Sequence, residues 1–127
     1  MATLTATCTL AGSGLTSSTL SITKNPGVEI LGDVQIRRVT CGTNTVQILE
    51  ADNWNNSGSM VWLHNPHASE SITIGEDSDG GATLDQVWMA LLPGEWAFFP
   101  WDTTVDLHAD ASGACQLEVG IFERAAS

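Results

Sequence analysis

Apolar and polar residues alternate in short runs along this chain, and clusters of Gly, Asn, Asp, Ser and Pro separate the runs. The runs are rich in Thr, Val, Ile and Trp, which suit a pleated, half-buried surface, and no stretch of eleven residues keeps a helical stripe. The pattern predicts strands near 3–10, 15–23, 34–40, 44–50, 59–65, 71–76, 86–92, 95–99, 104–109 and 115–123. Strands of this length and spacing predict an all-β fold, an antiparallel β-sandwich or jelly roll. No internal repeat and no linker divides the 127 residues, so residues 1–127 read as a single domain. Residues 1–23, rich in Thr, Ser and small apolar side chains, read as an extended N-terminal arm or an outer strand pair.

The last strand alternates cleanly. Cys115, Leu117, Val119 and Ile121 point one way, towards a core; Gln116, Glu118 and Gly120 point the other way, towards water. Two other strands are apolar on both faces. Val87, Met89 and Leu91 oppose Trp88, Ala90 and Leu92, and Met60 and Trp62 oppose Val61 and Leu63. Residues 93–107 concentrate the aromatics: Trp96, Phe98, Phe99 and Trp101 lie within six positions. Pro93-Gly94 predicts a turn before them. Trp96 and Phe98 then share one strand face and Phe99 takes the other. Pro100 cannot donate to a ladder, so the strand ends there or lies at a sheet edge. One face fills the sandwich, and the other needs cover from a loop or from a second protein.

Charge narrows the partners. Fifteen carboxylates oppose Lys24, Arg37, Arg38 and Arg124, for a net charge of -11. Such a surface repels phosphate, so nucleic acid and anionic membrane are not expected partners. Residues 1–22 do not read as a signal peptide, and no run approaches the roughly 20 apolar residues of a membrane span. Cys8, Cys41 and Cys115 are odd in number and widely spaced, which is neither a disulfide framework nor a zinc pattern. They read as small core residues of a protein made in a reducing cytosol.

No residue set reads as catalytic, and neither cofactor nor metal is expected. His64 and His67 have a metal-like spacing, but Pro66 between them breaks any helix that would align them. The acidic stretch from Glu76 through Asp77 and Asp79 to Asp85 resembles a calcium loop, without the spacing of one. There is no Gly-x-Ser-x-Gly elbow and no phosphate-cradling loop. Trp54, beside Asn55 in a polar loop, is the residue pair on which a sugar would stack.

In order, the second half of the chain carries residues 60–65 (MVWLHN), 71–75 (SITIG), 92–101 (LPGEWAFFPW), 105–107 (VDL) and 117–123 (LEVGIFE). This succession, with the Thr-rich opening 2–10, resembles small virion structural proteins of tailed bacteriophages, especially those of marine and cyanobacterial hosts. The resemblance implies a non-enzymatic β-sandwich on a virus particle, as a capsid decoration (cement) protein, a head fibre or a part of the tail. One short acidic domain with a two-faced aromatic segment favours decoration of the capsid surface, assembled in the host cytoplasm. The expected partners are the major capsid protein and further copies of the chain, with a homotrimer compatible with symmetric closure. The expected interface residues, or their immediate support, are Trp88, Trp96, Phe99 and Trp101, and residues 2–10 are expected to add a strand to a neighbour. The alternative expectation is a tail-tip or head-fibre module that binds host carbohydrate through Trp54 and Asn55.

Overall fold

The computed structural model describes residues 2–12, 20–24, 27–51, 54, 58–78, 83–101 and 104–124. These residues form β1 (Ala2–Thr5), β2 (Cys8–Gly12), β3 (Leu20–Lys24), β4 (Gly27–Cys41), β5 (Val46–Leu49), β6 (Ser59–His64), β7 (Ile72–Glu76), β8 (Gln86–Leu91), β9 (Trp96–Trp101), β10 (Leu107–Ala111) and β11 (Cys115–Arg124). One sheet has the order β1-β4-β11-β6-β9, a second the order β5-β10-β7-β8, and β2 pairs with β3.

The winding follows from the pairs. β4 pairs with β11, β5 with β10, β6 with β9 and β7 with β8, all antiparallel. The chain from β4 onwards is therefore one long hairpin with β7 and β8 at its tip. Rolled up, it brings β11 against β6 and β10 against β7. That is an eight-stranded jelly roll, the second of the two architectures expected.

The N-terminal residues form a paired ribbon. The register runs from Ala2↔Ile30 to Thr5↔Gly27, and resumes without an offset from Cys8↔Lys24 to Gly12↔Leu20. Residues 2–5 and 8–12 on one side, and 27–30 and 20–24 on the other, are thus the two legs of one antiparallel ribbon. Of the strand predicted over 15–23, residues 20–23 are strand, and 15–19 lie outside the described residues. β4 extends further back than the predicted start at residue 34, because its first residues belong to this ribbon and its later ones to the sandwich.

The two four-stranded layers enclose the core. Val61, Leu63, Leu117, Val119 and Ile121 from one sheet meet Ile48, Ile72, Ile74, Leu107 and Ala109 from the other, all fully buried. The inward half of the β11 alternation is as expected. β9 continues through Pro100, because among the described residues it pairs with β6 alone and an edge strand tolerates a missing donor. The predicted turn is present at Gly94, whose φ of 83° suits glycine.

Gly75 holds the β7–β8 contact. The register shifts between Ile74 and Gly75, and an added Cβ at Gly75 would strike the carbonyl oxygen of Gln86. A backbone atom cannot rotate away as a flexible side chain can. Gly75→Ala should therefore cost about 2 kcal/mol by overpacking, read as a lower denaturant midpoint at unchanged slope. A variant as stable as the parent would contradict this close approach.

Candidate functional site

Strand register assembles three rows on the sheet face that points away from the core. The first is Arg38, Glu118, His64 and Trp96; the second is Ile36, Gly120, Trp62 and Phe98; the third is Val34, Phe122, Met60 and Pro100. Each row runs across β4, β11, β6 and β9. Most members are apolar. Ile36 is 72 % exposed, Trp96 55 % and Val34 50 %, while Trp62, Phe98 and Phe122 are half-buried.

The expectation that the outer residues of β11 face water holds for Gln116, which is exposed, and is corrected at Gly120. Gly120 is buried, because the rings of Phe122 and Trp62 close over it; a Cβ there would lie 3.3 Å from Phe122 and 3.5 Å from Trp62. A residue without a side chain lets the two aromatics spread flat across β11.

The first N-terminal residues form one wall of a groove on this face. Leu4, Ala6 and Thr7 line it together with Trp62, His64, Trp96, Phe98 and Phe122, around a cavity of ≈ 520 Å³. On the other side of Trp62, a second depression of ≈ 480 Å³ is lined by Ile36, Arg37, Arg38 and Glu118. Trp62 is the ridge between them. Its ring stacks on His64 with centroids 5.6 Å apart and an interplanar angle of 29°.

A charged network borders the aromatics. His64 Nδ1–H donates to Glu118 Oε1 at 2.6 Å, and Arg38 Nη2 donates to Glu118 Oε2 at 3.3 Å. All four basic residues of the chain lie on β3, β4 and β11. The His64 hydrogen bond, then the charges of His64 and Arg38, hold the Glu118 carboxyl below its ordinary value. Since the folded value lies below the unfolded one, this stabilisation is full above the unfolded value and disappears as pH falls through the folded one. Glu118→Gln should flatten the acid limb of Tm against pH below 4.5. At neutral pH it should cost under about 1 kcal/mol, as exposed ion pairs do. Parallel acid limbs in the two proteins would rule out this role for Glu118.

The four interface residues expected from sequence fall in three places. Trp96 is on the outer face just described. Phe99 points inward and packs half-buried on the core, and Trp101 is inside it at 2 % exposure. Trp88 lies on β8, at the edge of the opposite sheet, where its Nε1–H donates to Glu76 Oε2 at 3.0 Å. Alternation along β9 separates Trp96 from Phe99 and Trp101, and the jelly-roll winding assigns β8 and β9 to different sheets. The residues that join Trp96 instead are Trp62, Phe98 and Phe122. Trp62 was signalled by the two-faced run at residues 60–63 and Phe98 by the aromatic run at residues 96–101, whereas Phe122 carried no signal of its own.

The remaining candidates are used locally. Trp54 is half-buried and packs against the core, and Asn55 lies outside the described residues. His67 Nδ1 accepts the N–H groups of Ser69 and Glu70, both at 3.1 Å, while His64 bonds Glu118, so the two histidines serve different partners. Asp77 accepts from Thr45, and Asp85 accepts the N–H of Ser78 at 2.8 Å; Asp79 lies outside the described residues. Among the described residues, no three His, Cys, Asp or Glu side chains are grouped to hold a metal ion. Compared with protein-family models, with curated proteins and with solved structures, the chain matches none.

Proposed function

We propose that the protein is a non-enzymatic virion structural module, a decoration protein that binds the outside of a tailed-phage head and stabilises neighbouring capsid subunits. The observation that carries this reading is the outer face of β4-β11-β6-β9, where Val34, Ile36 and Trp96 are exposed around Trp62, Phe98 and Phe122. Contiguous apolar area of this kind marks docking to another protein. Aromatic anchors with arginine beside them dominate such contacts, and Arg38 stands at the end of the first row. The major capsid protein is the partner, with further copies of the chain, three about a local axis, completing the contact. A net charge of -11 disfavours nucleic acid and anionic membrane as partners. β1 is the edge strand of its sheet, and its outward edge offers donors and acceptors for strand addition by a neighbour.

Gold-labelled antibody against the chain should decorate the heads of intact particles evenly. Label confined to tail tips, or absent from every intact particle, would refute decoration. Trp96→Ala and Ile36→Asp should keep the parent Tm within a few degrees and lose head occupancy by about tenfold or more. Undiminished occupancy in both variants would show that the contact lies elsewhere.

The ≈ 520 Å³ groove supports a second reading, a tail-tip or head-fibre module that stacks host carbohydrate on Trp62 and Trp96. It moves the sugar contact from Trp54 to the outer face. A glycan array that is flat for the parent protein removes it; binding lost on Trp96→Ala and kept on Trp54→Ala supports it.

A further inference from the structure

Strand register places Cys41, the last residue of β4, directly opposite Cys115, the first residue of β11. Directly opposed residues of antiparallel strands lie about 4.5–5.5 Å apart at Cα and project to the same face. That spacing is inside the range of about 4.4–6.8 Å over which a disulfide closes. Both thiols are free, and both belong to the same buried cluster between the sheets. The pair also sits at the end of the sheet. Just beyond Cys41 the chain leaves β4, and the Ala111 N–H donates to the Gly42 carbonyl at 2.6 Å. A strand end can adjust its backbone to the dihedral that a bridge requires more easily than a strand centre can.

We propose that Cys41 and Cys115 are a redox site, a thiol pair that closes into a cross-strand disulfide when the folded protein moves from reducing to oxidising surroundings. The oxidant is a low-molecular-weight disulfide such as oxidised glutathione. Cys115, the more accessible of the two, attacks as the thiolate and releases one glutathione thiolate, leaving a mixed disulfide. Cys41 then gives up its proton, attacks the Cys115 sulfur and displaces the second glutathione. The protein loses two electrons and two protons, and the oxidant leaves as two reduced glutathiones. Cys8 takes no part.

The bridge would close the loop from residue 41 to residue 115, which contains six of the eight sandwich strands. It would tie the first strand of the roll to the last. Long loops give the largest entropic gain from a cross-link, because the unfolded chain loses the most freedom. Burial raises both thiols, that of Cys41 to about 11. They are therefore mostly protonated near neutrality, and exchange in the folded protein should be slow and accelerate with pH.

The test uses the full chain in two arms. In one, folded protein is held in oxidised glutathione at mildly alkaline pH. In the other, protein is refolded from guanidinium in a glutathione redox buffer, so that burial does not block access. Both arms should give a product with one free thiol in place of three, a peptide map linking Cys41 to Cys115, and a Tm raised by about 10 °C or more. Cys8→Ser should behave likewise, with no thiol left. Cys115→Ser should show no rise in Tm with oxidant. Three free thiols after both arms, arrest at a glutathione adduct, or a bridge that includes Cys8 would overturn the proposal.

Discussion

Trp101→Ala should destabilise the protein by about 4 kcal/mol, within the range for removing a buried tryptophan. Trp101 ends β9, is 2 % exposed, and packs within the cluster between the two sheets. Its Nε1–H donates to the Val105 carbonyl at 2.9 Å, which holds the connection into β10. Truncation leaves a cavity in the core between the two sheets, and deprives that carbonyl of its donor. The denaturant midpoint should fall at unchanged slope. Trp101→Phe should recover most of the packing and leave a residual cost of about 1–2 kcal/mol from the smaller ring and the lost hydrogen bond. Trp96→Ala, five residues earlier and 55 % exposed, should cost about 0.5 kcal/mol or less. Equal costs for Trp96→Ala and Trp101→Ala would mean that Trp96 is a structural residue, and the proposed docking face would lose one of its exposed apolar side chains. The four aromatics of residues 96–101 thus divide by strand parity: Trp96 and Phe98 lie outside, Phe99 and Trp101 inside.

That parity was legible before any pairing was known. Alternation is a local property of a strand, and it assigned the inward residues of β11, the two sides of residues 60–63 and the split within residues 96–99. Pro100 and Gly94 were legible for the same reason, since each restricts its own backbone. What sequence did not disclose depends on which strands become neighbours. The outer face draws one residue of each row from β4, β11, β6 and β9, and Val34 and Phe122 of one row are 88 residues apart in the chain. Gly120 looked water-facing because the rings that cover it come from β6 and from two positions further along β11. Residues 1–23 read as an arm or an outer strand pair, because alternation alone does not show that 2–5 and 8–12 pair in one continuous register with 27–30 and 20–24. Trp54 looked like a loop aromatic because the core it packs on is assembled from distant strands. Cys41 and Cys115 looked unrelated for the same reason: only the closing of the first strand against the last makes them neighbours.

Asn65→Ala should cost about 3 kcal/mol, and Tm should fall by roughly 10 °C. Asn65 and Pro66 begin the connection from β6 to β7, and the Asn65 side chain does more than favour a bend. Asn65 is 0 % exposed. Its Nδ2 donates to the Glu70 carbonyl at 2.7 Å and to the Leu91 carbonyl at 3.0 Å, and its Oδ1 accepts the His67 N–H at 3.1 Å. Its backbone N–H donates to the Glu95 carbonyl at 2.9 Å, and its carbonyl accepts the Gly94 N–H at 2.8 Å. One residue therefore joins the β6–β7 connection to the β8–β9 turn, at the end of the sandwich where both connections cross between sheets. Alanine keeps the two backbone bonds and removes the three made by the side chain. A buried amide group left without its partner costs about as much as a bond lost outright, and here the orphans include the Leu91 carbonyl in the interior. The isosteric Asn65→Asp tests whether shape or donor capacity matters. Its carboxylate can still accept from His67, but it faces the Glu70 and Leu91 carbonyls with oxygen where hydrogen is required. It should be at least as unstable as Asn65→Ala near neutral pH and should recover in part as acid protonates the new carboxyl, which then donates one of the two bonds. An Asn65→Asp protein as stable as the parent would show that the loop is held by its backbone alone. An aspartate cost that does not change with pH would show that the two carbonyls do not depend on the amide donors.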